Sequence, residues 1–90
     1  MNRAGHVRIS GYVLSHPHSK PVSGAKIIVP AMQRQTRTRR DGHYAIWVMQ
    51  GGNVQYIVIA EAGGYRRSEM YIPARADITV DFMLSREGVG

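Results

Sequence analysis

Histidine, serine, aspartate and arginine carry whatever chemistry this 90-residue chain can do. Serine, histidine and aspartate all occur, but no strand-turn-helix nucleophile elbow, no paired carboxylates and no glycine loop opening a helix place them for catalysis. No catalytic residue and no enzyme activity are expected. His16-Pro17-His18 sets two imidazoles one residue apart. Zinc takes three or four ligands, and neither cysteine nor a nearby carboxylate completes the set, so neither a metal nor a cofactor is expected. On acidification the chain's four histidines can add their charge to the net +6, because a free imidazole titrates near about 6.5.

The arginines are the densest chemical signal. Arg34, Arg37, Arg39 and Arg40 put four cations within seven residues, and the guanidinium fork suits phosphate or carboxylate. Side chains alternate along a strand, so Arg37 and Arg39 share one face while Arg34 and Arg40 share the other. That alternation argues against one phosphate-tracking stripe and for an edge strand whose charges discourage pairing with other chains. Nucleic-acid binding through this run is the weaker of the readings it allows. An excess of 12 Lys and Arg over 6 Asp and Glu points in general to an acidic partner.

The elements that must position these residues read as strands throughout. Alternation places residues 7–14 in a first strand with Val7, Ile9, Gly11 and Val13 on one face. Ser15 to Pro21 reads as a loop, because proline supplies no donor to a ladder. Ala25, Ile27 and Val29 mark a second strand and residues 33–38 a polar third. Asp41-Gly42 between two extended segments then signals a hairpin, because glycine accepts the positive φ that a tight connection demands. Tyr44, Ile46 and Val48 face inward on a fourth strand; 54–62, 67–72 and 77–84 follow as a fifth, sixth and seventh. In the last, Ile78, Val80, Phe82 and Leu84 point inward. About seven short strands with regular turn signals predict an all-β antiparallel sandwich. Ninety residues hold one domain, with a core over 7–84 and short tails at 1–6 and 85–90. With no cysteine, packing alone must stabilise it. No apolar run approaches the roughly 20 residues of a membrane helix, and no signal-peptide stretch opens the chain. Cytoplasmic synthesis is therefore expected, compatible with a place in a virion or surface assembly.

The pattern resembles the carboxypeptidase regulatory-like domains, with their transthyretin-like, Ig-like sandwich. The likeness rests on Ile9-Ser10-Gly11-Tyr12-Val13, on Lys20-Pro21-Val22-Ser23-Gly24-Ala25-Lys26-Ile27 and on Thr38-Arg39-Arg40-Asp41-Gly42-His43-Tyr44-Ala45-Ile46. Gly64-Tyr65 and the run Ile78 to Leu84 complete it, so that it spans nearly the whole chain. It implies a seven-stranded Greek-key sandwich, with Tyr44 plugging the core by its ring while its hydroxyl reaches an edge partner. It also implies a spacer or docking module rather than a catalyst. Two departures are visible: Arg39 stands where the family's turn often carries an acidic residue, and the loop from His16 to Lys20 is basic where the family is commonly rich in Asp and Asn.

An inward row of Tyr44, Ile46 and Val48 forces Trp47 outward. If the fourth and fifth strands pair as a hairpin across 50–53, then Ala45, Trp47, Met49, Ile57 and Ile59 form one exposed apolar patch of the kind that marks contact surfaces. The functional expectation is a non-catalytic structural or docking module that attaches through this face to a protein host with an acidic surface, or to copies of itself. A glycan-binding module using Trp47, Tyr12 or Tyr65 as stacking platforms is the alternative.

Overall fold

Strand β1, His6–Ser15, is the longest element of the chain and the hub of one of its two sheets. The computed structural model describes residues 5–87. After β1 come β2 (Lys20–Pro21), β3 (Lys26–Val29), a 3-10 turn at Pro30–Met32, β4 (Arg34–Arg37), β5 (His43–Met49), β6 (Gln55–Glu61), β7 (Ser68–Pro73), β8 (Ile78–Thr79) and β9 (Phe82–Leu84). In the first sheet β1 pairs with β2 and β5 antiparallel and with β8 and β9 parallel. The second sheet runs β4-β3-β6-β7. The inward rows read from alternation supply most of the core, with Ile78 and Val80 of the last row only partly buried against it. Ile9, Val13, Ile27, Val29, Val48, Val58 and Ala60 are fully buried, and Tyr44, Ile46, Phe82 and Leu84 nearly so.

Three expectations are corrected. The described residues form nine strands where seven were expected, because the seventh is interrupted at Val80-Asp81 and Lys20-Pro21 pairs with Leu14-Ser15 in place of the expected loop. Pro21 is tolerated there because a two-residue strand needs little from its missing donor. The sandwich is not antiparallel throughout: β7 closes the second sheet, and the chain then crosses to lie alongside β1 in the same direction. The Asp41-Gly42 connection is a local turn, with the Gly42 amide donating to Arg39 O and the Arg39 amide to His43 O, both at 2.9 Å. Its arms diverge, however. Thr38 stays with β3, its amide donating to Ala25 O at 2.9 Å, while His43 enters β5 beside β1. Outside the expected 7–84 core, His6 opens β1 and Arg86 bridges to Tyr65. Positions 1–4 and 88–90 lie outside the described residues.

The crossing between sheets is tied by a buried hydroxyl. Thr38 Oγ1 accepts from the Ala25 amide at 2.9 Å and donates to Val22 O, which satisfies polar groups that the sheet change would otherwise strand. The second tie is at the interruption between β8 and β9. Gly11 has φ +157, and a Cβ built on it would sit 2.0 Å from Val80 O. Only a residue without a side chain lets the Val80 carbonyl approach β1 so closely. The Tyr44 ring lies in the core, tilted against Phe82 with centroids 6.0 Å apart, and its hydroxyl donates to Val80 O at 2.6 Å. Replacing Gly11 with alanine should lower unfolding free energy by more than about 2 kcal/mol in a urea titration, with Gly63→Ala, whose Cβ meets nothing within 4 Å, staying within about 1 kcal/mol of the parent.

Burial, and then the charge of Asp81, push the Tyr44 hydroxyl well above the ordinary tyrosine value of 10.0. A raised value means that the folded state favours the neutral phenol. Its contribution is complete below pH 10.0 and is lost as pH rises beyond that point. Tyr44→Phe should cost about 1–3 kcal/mol at neutral pH, by leaving Val80 O without its donor. Denaturant midpoints measured from pH 7 upward should show the parent losing stability above pH 10.0 more steeply than this variant.

Candidate functional site

With the core filled by the inward rows, the chain's outward residues form two faces on opposite sides of the sandwich. The first is the β1/β5 ladder, where His6 pairs with Met49, Arg8 with Trp47, Ser10 with Ala45 and Tyr12 with His43. Arg8 therefore stands directly across from Trp47, and the Tyr12 and His43 rings meet edge to face at 5.2 Å. Trp47 is half-buried; Met49 is 54% exposed and Tyr12 42%. This face mixes aromatic, cationic and small polar groups. The second lies across the four-stranded sheet. Ile28 pairs with Ile59, and Ile57 with Tyr71, so four apolar side chains from three adjacent strands share one surface. Tyr71 is 69% exposed and Ile57 37%. Gln35 and Glu69 bound the row of Ile28 and Ile59, and Lys26, Arg37 and Glu61 occupy the next row.

No family model matches the chain, and no curated protein matches it either. Solved structures do share its fold. One is a chain of an N-terminal interface mutant of a type II cohesin–X-dockerin complex from Acetivibrio cellulolyticus, at TM-score 0.71 and 14% identity, covering 89% of this chain and 58% of that one. A minor pilin from Streptococcus agalactiae matches at TM-score 0.65 and 13% identity, over 96% of this chain and 47% of its own. A candidate carbohydrate-binding protein from Bacteroides uniformis matches at TM-score 0.64 and 18% identity, over 87% of this chain and 40% of its own. This chain thus spans less than two thirds of each of them. At such identities the likeness is one of fold: an all-β, two-sheet sandwich.

The single patch expected from Ala45, Trp47, Met49, Ile57 and Ile59 is not one surface. β5 pairs with β1, and β6 pairs with β3 and β7, so no hairpin joins them. The reason lies at the edge of β5 that faces away from β1. There His43 O accepts from the Arg39 amide at 2.9 Å, Trp47 O from Arg34 Nη1 at 3.3 Å and Met49 O from the Tyr56 hydroxyl at 3.0 Å. Side chains from the second sheet occupy positions a paired strand would take, which also blunts the edge against other chains. Ala45, Trp47 and Met49 fall on the first face; Ile57 and Ile59 fall on the second. Ile28, which belongs with the latter pair, was legible as the outward residue between Ile27 and Val29, and Tyr71 as the cross-strand neighbour that only the β6/β7 register reveals.

The arginine cluster is dispersed for a different reason than strand alternation: the edge strand β4 ends at Arg37, so only Arg34 and Arg37 of the four lie on it. Arg34 reaches across to β5, Arg37 Nη1 donates to Gly24 O at 3.1 Å, and Arg39 and Arg40 sit at the inter-sheet turn. Of the aromatic platforms, Tyr12 and Trp47 share the first face, whereas Tyr65 lies elsewhere with the Arg86 guanidinium 5.4 Å from its ring centroid. Among the described residues no group of three or more His, Cys, Asp and Glu could hold a metal. No helix of the described residues is long and apolar enough to cross a membrane. The assignment of faces has a direct check: Ile57→Lys should shift unfolding free energy by no more than about 0.5 kcal/mol, while lysine at its neighbour Val58, fully buried, should cost more than about 4 kcal/mol or prevent folding, read by thermal denaturation followed with circular dichroism.

Proposed function

We propose that the chain is a non-catalytic docking module that seats a protein host on the outer face of its four-stranded sheet. The observation that carries this is the adjacency of Ile28, Ile57, Ile59 and Tyr71 on three neighbouring strands, an apolar surface with a charged and polar surround. Aromatic and aliphatic side chains in that arrangement have the composition of an interface centre, and the charged surround that of a rim. A host with acidic groups suits the net +6 better than a second copy does, since like-charged copies repel while an opposite field speeds encounter. The resemblance to carboxypeptidase regulatory-like domains, and a fold shared with pilin and cohesin–dockerin structures, support a role within a larger assembly. On this reading the nine strands are the seven of a Greek-key, transthyretin-like sandwich, with one strand split and one short addition.

The test is site-specific photo-crosslinking in the native host. A photoreactive residue at position 71 should give a discrete crosslinked partner, and one at position 83, exposed on β9, should not. Ile59→Lys should weaken the association about thirtyfold or more with circular dichroism unchanged, and Trp47→Ala should leave it intact. Loss of the crosslink with Trp47→Ala but not with Ile59→Lys would move docking to the first face. A concentration-dependent dimer of the isolated chain, abolished by Ile59→Lys, would replace the host with a second copy.

A further inference from the structure

Among the depressions formed by the described residues, three carry charges that differ in kind. The one lined by Gly52, Tyr71 and Arg75 has its cation committed, because Arg75 Nε donates to Gly52 O at 3.0 Å. The one between Gly24 and Glu87 sets Lys26, Arg37 and Arg67 among the carboxylates of Glu61 and Glu87. The third, about 410 Å3, is lined by Ser15, His16, His18, Lys20, Ser85 and Arg86 around Pro17, and among the described residues no carboxylate lines it. Its volume lies within the range of small-ligand sites.

This third site is assembled from segments far apart in sequence. The β1–β2 hairpin supplies residues 15–20, closed by Ser15 pairing with Lys20 and by the Ser19 amide donating to Ser15 O at 2.7 Å. The C-terminal segment supplies Ser85 and Arg86. It is held against the hairpin by the His16 amide donating to Leu84 O at 2.8 Å and by β9 pairing with β1. On its other side, the Arg66 amide donates to Ser85 O at 2.8 Å, the Glu87 amide donates to Gly64 O at 2.9 Å, and Arg86 stacks over Tyr65. The lining thus draws one lysine, one arginine, two serines and two histidines from distant segments onto a frame held by backbone hydrogen bonds.

We propose that this depression binds a single oxyanion group of a small ligand, a carboxylate or a phosphate ester, through Lys20 and Arg86, with Ser15 and Ser85 as hydrogen-bond donors and the His16 and His18 rings as walls. A lysine ammonium and an arginine fork together match the charge and the donor needs of either group. The absence of a competing carboxylate from the lining distinguishes this site from the neighbouring depression.

Glucuronic acid, glucose 6-phosphate and glucose, titrated separately into the isotopically labelled chain, test it by amide chemical shifts. Saturable shifts confined to residues 15–20 and 84–87 are expected with one or both anionic sugars, at a Kd in the low millimolar range or tighter, of the order expected for a single charged anchor. None is expected with glucose. Preference between the two anions identifies carboxylate or phosphate as the source. Lys20→Gln and Arg86→Gln should each weaken binding about tenfold with the rest of the spectrum unchanged. Lys20→Gln keeps the proposal testable even if loss of the Tyr65 stack disturbs the Arg86 variant. Non-saturating shifts spread over every basic residue, equal shifts with glucose, or undiminished binding in Lys20→Gln would each overturn it.

Discussion

The structure depends on one close approach: Val80 O lies against β1 at Gly11, where a Cβ would stand 2.0 Å away, and receives the Tyr44 hydroxyl from below. Three strands meet at this point. β1 contributes the gap, β5 the phenol and the break between β8 and β9 the acceptor. On either side of the break the last strands pair with β1, at Ile9 and Ser10 and again from Val13 to Ser15. The interruption is therefore the place where the ladder lets a core side chain cap a backbone carbonyl, and Asp81 Oδ1 accepts the Tyr12 amide at 2.8 Å as the ladder resumes. A chain without cysteine closes its sandwich here by packing and hydrogen bonds alone.

Period-two alternation made the inward rows legible, because a one-residue slip would carry a whole row into solvent, and burial of Val7, Ile9, Val13, Tyr44, Ile46 and Val48 does not tolerate it. Tyr44 was legible in both its roles. Which strand lies beside which was not, and physics explains the gap. The Asp41-Gly42 turn is a local event of a few residues, settled by Gly42 and by Asp41 Oδ1 accepting the His43 amide at 3.0 Å. Whether its arms remain paired is decided farther off, by Thr38 joining β3 through Ala25 and by His43 joining β1. The parallel placement of β8 and β9 is equally non-local, since it rests on contacts across some seventy residues such as Asp77 Oδ1 with the Arg8 amide.

The same non-local pairing decides what the surface offers. Alternation identifies an outward residue but not its neighbours, so it cannot show that Trp47 and Ile57 stand on different sheets. Once β5 lies beside β1 and β6 between β3 and β7, the outward residues sort into two surfaces of different character. Arg8 opposite Trp47 gives the first a cation in the middle of its apolar ground, whereas the cross-strand pairs of the second, Ile28 with Ile59 and Ile57 with Tyr71, are apolar on both sides. A buried interface penalises an unpaired charge far more than it does a polar rim, so the second surface is the one that a protein can cover at lower cost.

The basic character of the chain has a parallel resolution. Read along the chain, Arg34 to Arg40 is its densest charge, yet folding disperses it: Arg34 goes to the Trp47 carbonyl, Arg37 to the Gly24 carbonyl, and Arg39 and Arg40 stay exposed at the turn between sheets. Lys20 and Arg86, 66 residues apart and unremarkable in sequence, are instead brought to one depression by β9 lying beside β1. Charge density in sequence measures how much repulsion a segment must relieve, and an edge strand relieves it by facing solvent. Charge convergence in space needs a backbone that holds the groups together, which here is the hairpin and the C-terminal segment bonded through His16 and Leu84. The parallel pairing that alternation could not foresee is therefore also what makes the candidate anion site.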